Sequence, residues 1–173
     1  MMKFYLILLI LMIPTMGSAQ ESSINGNIIR LVDALDEPEF YCIDLAGWRE
    51  GIKLNDPLQT HTCKSRNADD QMFYFESNRI KVSHYEGCLE APGSGGVTLS
   101  GSSVLIRPCL DNSNLQDMVL QKSGKIELLN SGFCLIAGED SVPASGPSHM
   151  WRTLTFTECN TSNPSLSTWQ IGR

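Results

Sequence analysis

Charge is scarce in this chain and none of it is gathered: 18% of residues are charged, 13 Lys and Arg stand against 19 Asp and Glu, and no basic cluster occurs. Without Lys3 the balance is 12 against 19, a net −7. Such a chain repels phosphate backbones, which argues against nucleic acid as a ligand. Beyond residue 20 no apolar run approaches the roughly 20 residues needed to cross a bilayer. No window sustains the i, i+3, i+4 spacing of a long helix. The close C-x₂-C pairing of zinc sites is missing, so no metal is expected. Gly-x-Ser-x-Gly, His-Glu-x-x-His and phosphate-loop motifs are missing too, and His61, His84 and His149 lie far apart in sequence. The expectation is a protein that is not an enzyme and needs no cofactor.

What is present begins with a leader. Lys3, the apolar run Phe4 to Ile13, the break at Pro14 and the small residues Gly17 and Ala19 form a secretory signal over residues 1–19. Ten apolar residues are too few for a membrane anchor. The chain from residue 20 to 173 is then expected to be secreted as a single domain of ordinary size. Asn160-Thr161-Ser162 is a glycosylation acceptor if the source is eukaryotic.

Six cysteines, Cys42, Cys63, Cys88, Cys109, Cys134 and Cys159, set the period. The first, third and fifth are 46 residues apart; the second, fourth and sixth are 46 and then 50 apart. Such spacing marks three copies of one unit, the third carrying four extra residues between its cysteines. The surrounding text repeats as Phe40-Tyr-Cys-Ile-Asp-Leu-Ala-Gly47, Gly87-Cys-Leu-Glu-Ala-Pro-Gly93 and Gly132-Phe-Cys-Leu-Ile-Ala-Gly138. About eight residues after each second cysteine an echo follows: Gln71-Met72-Phe73, Gln116-Asp117-Met118 and Ser167-Thr168-Trp169. In an exported chain these cysteines read as disulfides. Fifteen pairings are possible. The repeat favours pairing within each unit, which uses one geometry three times and closes loops worth about 3 kcal/mol each.

Between the cysteines run short alternating segments broken by Gly, Pro, Asn, Asp and Ser: residues 28–32, 41–45, 58–63, 72–75, 104–109, 153–159 and 168–171. Short strands at even spacing indicate an all-β sandwich or barrel of about twelve strands. Gly93 to Gly101 and Gly138 to Ser148 read as loops.

With its cysteine-paired units and degenerate Gln-x-Trp echoes, the chain from about Asn27 to Arg173 resembles the ricin B-chain-type β-trefoil lectins. That resemblance implies a six-stranded barrel capped by three hairpins, with units of about 27–77, 78–123 and 124–173. It also implies that Phe73, Met118 and Trp169 are core residues.

The resemblance further implies a sugar pocket built from an acid two after the first cysteine, a Gln four before and an aromatic two before the second, and an Asn-Gln pair in the echo. In unit one these positions hold Asp44, Gln59, His61, Asp70 and Gln71. Strand alternation reaches the same cluster independently: Cys42 and Asp44 share one face, Gln59, His61 and Cys63 share another, and a Cys42–Cys63 bridge brings the two together. A carboxylate, an amide and a ring around one spot suit a hexose. Asp44 as a solvated strand-end carboxylate and His61 as an ordinary surface ring are the alternative. Asp70 in place of Asn removes an amide donor and adds a charge, which alters the preferred sugar or turns the pocket towards a cation or an amine.

Unit two holds Glu90, Leu105, Arg107 and a displaced Gln116, which predicts a local Glu90–Arg107 ion pair. Unit three holds Ile136, Thr155, Thr157 and Leu166 and lacks polar contacts. The function expected is binding of glycans or glycoconjugates, galactose-type or related, through one pocket in the first unit. The alternative is a non-catalytic module that engages a protein partner, as an inhibitor or toxin-like subunit, through Gly138 to Trp151.

Overall fold

The computed structural model describes residues 26–146 and 148–172, so the leader at 1–19 and Arg173 lie outside the described residues. The first third of the fold supplies β1 (Ile28–Leu31), β2 (Tyr41–Asp44), β3 (Gln59–Thr62) and β4 (Phe73–Glu76). Next come β5 (Arg79–Val82), β6 (Cys88–Glu90), β7 (Gly93–Ser94), β8 (Val97–Thr98), β9 (Ser102–Ser103), β10 (Leu105–Arg107) and β11 (Met118–Leu120). The last third holds β12 (Ile126–Leu128), β13 (Phe133–Ala137), β14 (Val142–Pro143), β15 (Met150–Glu158), the single turn of helix α1 (Pro164–Ser167) and β16 (Trp169–Gly172).

Each kind of ladder occurs three times. The inner hairpins are β2–β3, β6–β10 and β13–β15, all antiparallel. The links from one unit to the next are β4–β5, β11–β12 and, closing the ring, β16–β1. First and fourth strands meet where the backbone N–H of Phe73, Met118 and Trp169 donates to the carbonyls of Asn27, Asn78 and Gly124, at 2.9, 2.6 and 2.7 Å. This threefold closure is a β-trefoil. The β4–β5 link turns on Ser77 and Asn78, both at positive φ (50° and 61°), the conformation whose twist matches a two-residue hairpin.

The three echo hydrophobes plug the barrel: Phe73, Met118 and Trp169 are 1%, 0% and 2% exposed. Trp169 also donates its indole N–H to the carbonyl of Leu135 at 2.9 Å, so the largest core side chain leaves no buried polar atom unpaired. Cys42–Cys63, Cys88–Cys109 and Cys134–Cys159 are bridged, with Cα separations of 5.0, 5.1 and 5.0 Å. Each bridge lies beside the inner hairpin of its own unit, as the repeat predicts.

The two segments that read as loops in the sequence both contain short strands. Residues 93–98 form the small hairpin β7–β8 around Gly95 and Gly96, and β14 pairs with β15. The four extra residues of unit three fall in the stretch that carries β14 and the start of β15, nine residues long. The far half of β15 pairs with β13, while Trp151, Arg152 and Thr153 pair with His61, Thr60 and Gln59 of β3. Arg152 fastens this junction from beneath: it donates to Asp36 at 2.5 Å and to the Gly138 carbonyl at 2.9 Å, and lies 4.8 Å over the Tyr41 ring. Unit three thus supplies a wall to unit one.

Candidate functional site

The register of β2 against β3 puts Asp44 opposite Gln59 and Cys42 opposite His61, on one face as the alternation requires. Asp70 and Gln71 arrive from the 3₁₀ turn Asp69–Gln71, tied to β2 by the Leu45 N–H donating to the Asp70 carbonyl at 2.9 Å. All five residues proposed from the sequence therefore form one cluster.

Their exposure divides them. Asp44, Asp70 and Gln71 are 1%, 2% and 0% exposed, whereas Gln59 and His61 are half-buried and reach open solvent. Gln71 is spent internally: its Nε2 donates to Asp44 at 2.9 Å and to the Thr62 carbonyl at 3.1 Å, and its Oε1 accepts from the Lys64 N–H at 2.9 Å. Asp44 accepts from Gln59 on one oxygen at 2.9 Å, and from Gln71 and the Lys64 ammonium on the other.

Lys64 joins this cluster without any signal in the repeat. Its Nζ lies 3.1 Å from Asp44 and also bonds Asp70, and its side chain is only 13% exposed. The charge that Asp70 introduces is thus met by an amine from the same chain. Burial, the largest influence, pushes the Asp44 carboxyl up and would pull the Lys64 ammonium down, yet Asp44 and Asp70 together hold Lys64 above its usual range. Two carboxylates around one ammonium leave an acceptor short of donors, and Asp70 Oδ1 has no partner.

Above this floor opens a cleft of about 990 Å³, lined among others by Trp48, Gln59, His61, Lys64, His149 and Trp151. Gly47 starts the turn that carries Trp48 to the rim. It sits at φ +102°, and a Cβ there would fall 2.2 Å from the Gly51 carbonyl oxygen, so only glycine fits. Trp48 is 53% exposed, with the Arg49 guanidinium 4.1 Å over its ring. His61 and His149 meet edge to face with centroids 5.4 Å apart. The His61 Nδ1 lies 3.0 Å from the Thr62 carbonyl; a carbonyl only accepts, so Nδ1 carries the proton and Nε2 is left for another partner. Trp48 lies in a loop and Trp151 in the extra residues of unit three, outside the repeating positions.

The other two units differ. Glu90 and Arg107 do not pair, contrary to the sequence expectation. Glu90 lies opposite Leu105 and accepts from the buried Gln116 at 2.7 Å, while Arg107 donates to its neighbour's carbonyl, Ile106, at 2.8 Å. Gln116 rises from beneath the strands and takes the carboxylate first. In unit three Ile136 lies opposite Thr155, and Leu166 is buried. Among the described residues no group of three or more His, Cys, Asp or Glu is arranged to hold a metal ion, and no helix is long and apolar enough to cross a membrane.

The three-unit β-trefoil carries an aromatic-walled cleft over a polar floor in its first unit, an architecture that lectin domains use. The sequence model described as ricin-type beta-trefoil lectin domain matches residues 36–167, most of the chain, and the protein belongs to that family. No curated protein matches it. Solved structures share its fold at low identity. The C-half of the earthworm R-type lectin, solved in complex with GalNAc, is 12% identical with a TM-score of 0.58, covering 86% of this chain and 98% of that one. The β-trefoil lectin of the Vibrio vulnificus hemolysin/cytolysin, with N-acetyl-D-lactosamine bound, is 12% identical at 0.56, covering 87% and 96%. The designed threefold-symmetric ThreeFoil is 13% identical at 0.56, covering 86% and 99%. Membership supports carbohydrate binding as the general function, and proteins of this family are in general not catalysts.

Proposed function

We propose that this is a secreted, non-catalytic lectin that binds a galactose-type or related sugar in the cleft of its first unit. One observation carries the reading: two indoles and two imidazoles surround an open cleft whose floor presents Gln59 and Lys64. Pyranose rings have an apolar face that stacks on aromatic walls and a hydroxyl edge that needs a few placed polar groups. Here Asp44 acts from below, orienting the Gln59 amide and the Lys64 ammonium, because its own lone pairs are already engaged. Secretion is supported by the leader pattern over residues 1–19.

A monosaccharide has about a dozen heavy atoms, and at roughly 0.3–0.4 kcal/mol per atom the site yields about 4 kcal/mol, a millimolar Kd. The protein-binding alternative is less favoured, since much of the segment it would use lines the cleft, through Pro143, Ala144, Ser145, Gly146, His149 and Trp151. A glycan array tests the choice. Retention of galactose-type glycans, lost in Trp151→Ala, supports the reading; capture of a protein with no glycan retained would replace it.

A further inference from the structure

A second cleft lies between units one and two and shares no lining residue with the first. It has a volume of about 650 Å³ and is lined by, among others, Tyr74, Lys81, His84, Tyr85, Glu86 and Arg107. Arg107 is half-buried there, and a single neutral carbonyl, that of Ile106, takes one of its N–H groups. Among the described residues no carboxylate lies within ion-pairing distance of it. The other basic side chains lining the cleft face carboxylates: Lys81 bonds Glu76, and His84 Nε2 stands 3.8 Å from Asp69. Glu86 is the lining carboxylate and is exposed.

The trefoil symmetry explains why this space is open. Lys81 stands opposite Cys88 and Tyr74 as Arg30 stands opposite Cys42 and Gln170. In unit one nine residues, 32–40, join the first strand to the second, and they bring Phe40 under Arg30, with the guanidinium 4.0 Å from the ring centroid. In unit two the joining segment is only residues 83–87, and no ring of its own takes that place beneath Lys81, whose nearest stacking partner is Tyr74 at 6.0 Å. The cleft thus has the position of a ring–cation contact, two tyrosines and an arginine with free donors.

We propose that this cleft is a second glycan subsite, selective for a sugar residue that carries a carboxylate or a sulfate. The ring lies against Tyr74 and Tyr85, and the anionic group takes the Arg107 guanidinium, whose planar fork matches either oxyanion in a paired, charge-assisted contact. The sugar part rests on the lectin reading above; capture of the anion does not. A chain of net −6 gains nothing from its overall field on approach to an acidic glycan, so selectivity comes from this one local cation.

The test is a titration of the isotope-labelled protein followed by NMR, with the methyl glycosides of glucuronic acid, galactose 6-sulfate and galactose, and with sodium sulfate and sodium acetate. The two acidic sugars should shift the Arg107 side-chain and Tyr74 and Tyr85 signals, weaken as salt rises, and lose roughly tenfold or more in affinity in Arg107→Gln. Arg107→Lys should recover part of the loss, and Tyr85→Ala should weaken the sugars but not the ions. A carboxylate-only or sulfate-only response fixes the anion. Neutral galactose binding here as well as its acidic relatives, simple ions matching the acidic sugars, or Arg107→Gln binding unchanged overturns the proposal. The Trp48 and Trp151 signals report the first cleft separately, so failure of one site is not mistaken for failure of the other.

Discussion

Units one and two use the same glutamine for the same purpose and end with different surfaces. Gln71 ties Asp44 to the Lys64 N–H, and Gln116 ties Glu90 to the Leu110 N–H, each also donating to the carbonyl just before the second cysteine. The tie is therefore part of the trefoil frame. What separates the units is the next side chain: Lys64 turns in and joins two buried carboxylates, whereas Leu110 is 53% exposed. A glutamine that matches a sugar-binding pattern can thus be fully buried, and the residues that meet a ligand lie around it.

The largest expected effect comes from breaking the difference itself. Lys64→Met leaves Asp44 and Asp70 buried without their cation and should cost about 3–5 kcal/mol in denaturant unfolding. Leu110→Ala, at the matching place, should stay within about 0.5 kcal/mol. Equal effects would mean that the Lys64 contacts do not hold in solution.

Next in size is the shared tie. Gln71→Ala orphans buried groups including a carboxylate, and should cost about 2–3 kcal/mol; Gln116→Ala, whose partners Pro108 and Leu110 are exposed, should cost about 1 kcal/mol. The order of the two unfolding midpoints checks this.

A smaller effect appears in acid, at the seam between units one and three. The Asp36 carboxyl is held well below the usual range, first by the Ser141 hydroxyl and then by Arg152 and Tyr41, against the opposing effect of burial. Its folded pKa is below its unfolded one, so its contribution is complete above the unfolded value of about 3.9 and is lost as pH falls through the folded value. Asp36 is 47% exposed, which limits the size of the effect. Asp36→Asn should lower the thermal midpoint near pH 6 and flatten its dependence below pH 4.

The cysteine period made the frame readable. Strand faces and bridges follow from the repeat, and the core placing of Phe73, Met118 and Trp169 from the family resemblance that the repeat carries. The cleft was only half readable. Gln59 and His61 lie on a strand whose alternation predicts their face. The Lys64 side chain has no counterpart in the other units, and its partners are 20 and 6 residues away in sequence. Trp48 depends on the turn at Gly47, and Trp151 on how four extra residues let β15 reach β3. The expected Glu90–Arg107 pair failed because same-face placement ignored the glutamine rising from below. Non-local contacts of this kind leave no mark on spacing.

The chain has three tryptophans, and their indole N–H signals distinguish the first cleft from the core. Trp48 and Trp151 line the first cleft, while the indole of Trp169 is sealed in the core on the Leu135 carbonyl. Titration with methyl galactoside should shift the first two signals with one millimolar Kd and leave the third in place, and Trp151→Ala should abolish the shift at Trp48. Sugar-dependent shifts confined to residues of units two and three, with both cleft indoles unmoved at saturation, would contradict the placing of the neutral-sugar site in unit one.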